Sequence, residues 1–197
     1  MAVLSIKNGV VSRSMLVGND PFTPSSFESI QTVTGDGSSS SLLFSSIAAD
    51  WTHLQIRAIA RDTNAGTSTG NYLMRFNGDT ASNYTRHFLR GIGSGTVQAG
   101  GAANYNYINL QACVPFSGYA ANVYGAALVD VLDYASGSKN KTVRGMTGIN
   151  DNGVTGNDQI ALASGVWLST SAITSITIIS DGTAFTTDST FALYGVK

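Results

Sequence analysis

The sequence predicts an all-β protein, a jelly-roll-like two-sheet β-sandwich with an extended N-terminal arm. Three observations predict it. First, 24 Ser, 20 Thr, 14 Asn and 22 Gly make up 80 of the 197 residues, so turn formers and hydroxyl-bearing residues abound. Second, there are only four Lys and a single Glu, Glu28, which leaves few strong helix formers for exposed faces. Third, short apolar runs recur between turn signals with no fixed long period. That spacing suits a sandwich better than a propeller or solenoid.

Residues 1–26, MAVLSIKNGVVSRSMLVGNDPFTPSS, hold two of the three prolines, Pro21 and Pro24, and show no clear alternation. They read as an arm. Its apolar residues Val3, Leu4, Ile6, Val10, Val11, Met15, Leu16 and Val17 mark it as a partner-binding segment, anchoring or inter-subunit, because an arm this apolar is a hazard if left in water. Residues 27–197 read as the sandwich domain.

Strands are expected at 27–33, 41–47, 53–61, 71–77, 84–92 and 105–116, then at 122–134, 141–149, 159–168, 172–180 and 189–196. HLQIRAIAR, over 53–61, alternates: Leu54, Ile56, Ala58 and Ala60 point one way, Gln55, Arg57 and Arg61 the other. NVYGAALVDVLDY reads as a strand because Val and Tyr dominate and no helix cap is visible. A short helix is expected within 45–51. The Gly/Ala-rich stretch 93–104 reads as a polar loop, as do 62–71 and 148–158.

Net charge is −1 and only 12% of residues are charged, with no basic run. Nucleic-acid binding needs clustered Lys and Arg, so it is not expected. No apolar stretch approaches the ~20 residues that span a bilayer, and no membrane association is expected. The N-terminus lacks a long apolar core and a cleavage site, so no signal peptide is expected. Cys113 is the single cysteine; it reads as a buried core thiol and excludes a disulfide framework.

Candidate chemistry is sparse. RFNGDTASNY, residues 75–84, contains Asn77-Gly78, the strongest two-residue turn signal in the chain. It reads as a strand corner, with Asp79 and Asn83 bonding their own backbone; the rival is a calcium or sugar site on Asn77, Asp79 and Asn83. GINDNGVTGND, residues 148–158, offers Asn150, Asp151, Asn152 and Asp158 but lacks the Glu an EF-hand loop requires. His53 and His87 sit in no metal-ligand spacing. GIGSG, residues 91–95, matches neither GxSxG nor GxGxxG. Tyr72, Tyr84, Tyr105, Tyr107, Tyr119, Tyr124 and Tyr134, with Trp51 and Trp167, read as packing residues; the rival is a glycan groove. No catalytic, cofactor-binding or metal-binding residue is expected, and the protein is not expected to be an enzyme.

Three segments, YLMRFNGDTASNYTRHFL, GVWLSTSAITSITI and the closing FALYGV, resemble a widespread group of small virion proteins of tailed bacteriophages. The resemblance covers roughly residues 27–197 and leaves out the arm. It implies a jelly-roll-like sandwich that decorates the phage particle, on the capsid exterior or the tail. The expected function is capsid decoration or cement. Its partners would be the major capsid protein or other virion proteins, and the arm would anchor it. A homotrimer is expected, because closed cyclic symmetry buries apolar seams and matches local threefold points on a capsid. The alternative is a tail-fibre or receptor-binding domain that recognises a host surface glycan.

Overall fold

The computed structural model describes residues 26–197 apart from 94, 96, 154 and 155. The eight apolar arm residues therefore lie outside the described residues. Among the described residues twelve strands form: β1 Phe27–Thr34, β2 Ser41–Phe44, β3 His53–Ala60, β4 Thr69–Phe76, β5 Tyr84–Ile92, β6 Val97–Tyr105, β7 Ile108–Pro115, β8 Gly125–Leu132, β9 Lys141–Ile149, β10 Gln159–Trp167, β11 Ile176–Ser180 and β12 Thr190–Val196. They make an eight-stranded sheet in the order β1-β12-β3-β8-β9-β10-β5-β6 and a four-stranded sheet in the order β2-β11-β4-β7. The two sheets form the expected sandwich.

The pairing has a simple logic. β1 pairs with β12, β2 with β11, β3 with β8 and β4 with β7, all antiparallel. This is one long hairpin rolled up so that alternate strand pairs fall into opposite sheets, the topology of a jelly roll. Two further hairpins are inserted into it. β5–β6 lies between β4 and β7 in sequence, and β9–β10 lies between β8 and β11. Both add to the β8 side and widen one sheet from four strands to eight.

Alternation places the core. On β3, Leu54, Ile56, Ala58 and Ala60 are buried as the pattern requires, and Arg57 is exposed. They join Phe44, Tyr72, Phe76, Ile108, Phe185 and Phe191 in one cluster between the sheets. Each fully buried large apolar side chain contributes about 1.5–3 kcal/mol of transfer free energy.

Three expectations are corrected. Arg61 does not face outward with Arg57. The chain leaves β3 after Ala60, and Arg61 turns inward, 8% exposed. Its Nη1 donates to the carbonyls of Ala120 and Val123 at 2.9 and 2.7 Å, and its Nη2 to those of Ser117 and Tyr119 at 2.9 and 3.1 Å. The next residue, Asp62, is fully buried and accepts from the Asn64 and Thr183 amides and from Ser180 Oγ. The two charges thus organise two different loops and not each other.

Residues 45–51 form no helix. Their backbone groups bond across the molecule instead: the Ile47 amide donates to the Thr174 carbonyl, and the Ala48 carbonyl accepts from the Tyr134 hydroxyl. Lastly, the Gly/Ala-rich stretch expected to be a loop contains β6, paired with β5. Its glycines permit close packing. A Cβ on Gly100 would stand 2.9 Å from the Phe88 ring, and one on Gly101 would stand 2.3 Å from the His87 ring.

Candidate functional site

The Asn77-Gly78 segment is a corner, as expected, but it joins two sheets. Both residues have positive φ, 50° and 68°, and the Asp79 amide donates to the Phe76 carbonyl at 2.9 Å. That is the two-residue turn that ordinarily closes a hairpin. Here β4 and β5 belong to different sheets, so residues 77–83 carry the chain over the rim of the sandwich.

Side chains staple this corner from the far end of the sequence. Asn77 Oδ1 accepts from the Thr174 and Ser175 amides at 2.8 and 3.1 Å, and its Nδ2 donates to the Ala172 carbonyl. Asp79 Oδ1 accepts from the Ala81 amide, while Oδ2 accepts from Asn83 Nδ2 and from Trp167 Nε1, the last at 2.7 Å. These donors hold the Asp79 carboxyl below its ordinary pKa, with Asn83 the largest influence and Trp167 next. Beneath the corner, Phe76, Tyr84 and Trp167 pack ring on ring at 5.6–6.4 Å. Burial pushes the Tyr84 hydroxyl up to about 12. The side-chain oxygens of Asn77 and Asp79, weighed as cation or sugar ligands, are thus engaged within the chain, and Asn83 is held through its Nδ2.

The 148–158 loop is organised in the same way. Asp158 accepts from the Asp151 and Gly153 amides at 2.6 and 2.9 Å. Among the described residues, no three His, Cys, Asp or Glu side chains are grouped so as to hold a metal ion. No helix among them is long and apolar enough to cross a membrane.

The tyrosines divide. Tyr72, Tyr84, Tyr119 and Tyr134 are buried, as is Trp167, whereas Tyr105, Tyr107 and Tyr124 are half-buried. Cys113 is fully buried and its thiol is pushed up to about 11, chiefly by desolvation. Native protein is therefore expected to resist a thiol reagent at neutral pH, and to react stoichiometrically in denaturant. Fast labelling without denaturant would show that the site opens locally.

The feature sequence reasoning missed lies on the outer face of the large sheet. Outward positions there should be polar in a sheet with one face in water. Instead Ile59 on β3, Met146 on β9, Ile160 and Leu162 on β10, Leu89 on β5 and Val97 on β6 stand 46–71% exposed. The register aligns them into two rows. One runs Ile59–Ala126–Gly148–Ile160–Gly91–Val97, and its neighbour runs Leu128–Met146–Leu162–Leu89–Ala99. A concavity of about 600 Å³ lies over this face, bounded by Arg57 and Asp188. The next row turns polar, with Arg144 and Asp130 paired at 3.3 Å and His87 beyond them. The signal was present in the sequence on β10, where Ile160, Leu162 and Val166 share one phase and Ala161, Ala163 and Trp167 the other, the mark of a strand covered on both faces.

No family model matches the chain, and neither a curated protein nor a solved structure does.

Proposed function

We propose that this protein is a structural component of a tailed-phage particle, a capsid decoration or cement protein that assembles as a homotrimer and holds the head through its arm. The observation that carries this reading is the apolar outer face of the eight-stranded sheet. A contiguous apolar surface spanning β3, β8, β9, β10, β5 and β6 fits a subunit seam better than permanent exposure to water. In this reading, the face packs against a second copy of the chain. The arm, with Val3, Leu4, Ile6, Val10, Val11, Met15, Leu16 and Val17, engages the major capsid protein. The resemblance of the corner and its partners to virion proteins supports the same reading. Two of the resembling segments meet in space: Asn77 and Asp79 bond to residues 167–175.

Two variants separate the parts. Removing residues 1–20 is expected to abolish co-sedimentation with expanded heads while the melting temperature stays the same. Leu162→Glu is expected to reduce the mass in solution from trimer to monomer, since a buried unpaired charge at a seam costs several kcal/mol. Unimpaired head binding by the truncated chain sinks the arm's role. An unchanged mass for Leu162→Glu sinks the seam.

A further inference from the structure

The large sheet outruns the small one on the side of β5 and β6. Along β5 the inward positions read Tyr84, Arg86, Phe88, Arg90 and Ile92, and only Tyr84 is fully buried. Beyond Tyr84 the small sheet ends at its edge strand, β7. Between β5 and β7 lies an open cleft of about 530 Å³. Two arginines on the inner face of a sandwich strand are unusual, because that face ordinarily fills with apolar side chains.

The cleft is built for a charged, hydroxyl-rich guest. Arg86 Nε is buried with no hydrogen-bond partner, and the guanidinium sits 5.0 Å from the Tyr105 ring centre and 5.8 Å from that of Phe88. Arg90 is steered by Gln98, whose Oε1 accepts from Nε at 2.7 Å, and its guanidinium lies 5.9 Å from the centre of the same Phe88 ring. Amide side chains form much of the remaining wall, among them Asn109 and Gln111 from β7, Asn71 from β4 and Gln159 from β10.

No carboxylate lines the cleft among the described residues. The nearby Asp181 is engaged by the Asn71 amide and side chain, and Asp158 by its own loop.

The backbone of β7 is distorted at this wall. Gln111 is buried and has a φ of 69°, in the left-handed region that β-strand residues avoid. Its amide donates to Asn109 Oδ1 at 2.7 Å, and the β4–β7 register shifts on both sides of Asn71. A bulge of this kind re-aims side chains at the edge of a sheet, and strained backbone collects at binding sites.

We propose that this cleft binds the carboxylate-bearing sugar of an acidic polysaccharide, a uronic-acid type of residue. Arg86 and Arg90 supply the planar donor forks that match a carboxylate. The amides of Asn71, Asn109, Gln111 and Gln159 offer donors and acceptors to neighbouring ring hydroxyls. Phe88 provides an apolar floor between the two guanidinium groups. The volume falls within the ~300–1,000 Å³ typical of small-ligand clefts and accommodates one or two sugar rings. With no carboxylic acid among its described lining residues, the cleft lacks the acid–base pair of a glycoside hydrolase, and the proposal is for binding. This proposal is independent of the assembly reading above and stands or falls without it.

Calorimetric titration of the full chain tests it. Tetragalacturonate and a glucuronate-containing hyaluronan tetrasaccharide serve as acidic probes, cellotetraose as the neutral one, and acetate and inorganic phosphate as free anions. At least one acidic tetrasaccharide is expected to bind, with cellotetraose and both small anions at least ~10-fold weaker. Arg86→Gln and Arg90→Gln are each expected to weaken binding at least ~10-fold with melting unchanged, about the loss expected for one charge-assisted hydrogen bond. If either variant fails to fold, the wild-type chain decides: its ¹⁵N arginine Nε signals for Arg86 and Arg90 should shift on titration. Failure of both acidic probes to bind overturns the proposal. So does equal affinity for cellotetraose, phosphate or acetate, and so do shifts confined to other residues.

Discussion

Arg61→Met is expected to lower the unfolding free energy by roughly 3–5 kcal/mol, the loss typical of breaking a buried charged network from one side. The guanidinium donates to four backbone carbonyls within 117–123, a segment that has no strand of its own. Met can fill much of the volume but returns none of those hydrogen bonds. Each charge-assisted bond is worth about 1.5–3 kcal/mol, and water entering the loop recovers part of the sum. Arg61→Lys should recover little, because one compact ammonium cannot span carbonyls that the planar fork reaches on both sides. Urea denaturation of the three proteins checks this. A loss under ~1 kcal/mol for Arg61→Met would mean that water satisfies the loop as well as the guanidinium does.

The second large effect falls on the corner. Trp167→Ala is expected to cost about 3–5 kcal/mol, because it removes a 3%-exposed indole from the Phe76–Tyr84 stack and its hydrogen bond to Asp79. Trp167→Phe keeps the ring packing but removes one of the two hydrogen bonds to Asp79 Oδ2, leaving that from Asn83, and should cost about 1 kcal/mol. Asp79→Asn should be destabilising at neutral pH and progressively less so in acid. The folded carboxyl has a pKa below its unfolded value of ~3.9, so the wild type's advantage is complete above that value and is lost as pH falls through the folded one. A deficit for Asp79→Asn that does not change between neutral pH and acid would refute the charge-based part of the staple.

These residues also show how far the chain could be read without coordinates. Alternation on β3 and the Asn77-Gly78 signal depend on the residue and its immediate neighbours, and both gave the right local structure. Arg61 misled because it continues the alternation by one position past Ala60, and only the path of residues 117–123 decides that it turns inward. The β6 glycines misled in the opposite way. Glycine is a turn signal, but at Gly100 and Gly101 it makes room for the Phe88 and His87 rings, and that need is visible only once β5 lies alongside.

The cleft was hidden for a topological reason. Its two arginines flank Phe88 on one phase of β5, a pattern legible in YTRHFLRGI. That this face looks into an open gap follows from the inserted hairpins, which widen one sheet and not the other. The arm residues expected to bind a partner lie outside the described residues, and the apolar outer face of the large sheet is the surface on which the proposed seam rests.

Among the described residues, Arg61 and Lys141 are the two buried cations, and backbone carbonyls hold both. Lys141 is fully buried and donates to the carbonyls of Ser136, Lys139 and Thr170. The Lys139–Asp133 and Arg144–Asp130 ion pairs both sit where water reaches them. Dissolved salt screens attraction between charges in water over about 8 Å at physiological ionic strength, and barely touches a cation met by peptide dipoles inside the protein. The fold should therefore melt at nearly the same temperature in dilute buffer and in molar sodium chloride. An arginine cleft holding an acidic sugar would behave otherwise, loosening its grip as sodium chloride rises, so that the same change of medium leaves the scaffold intact and releases what it carries.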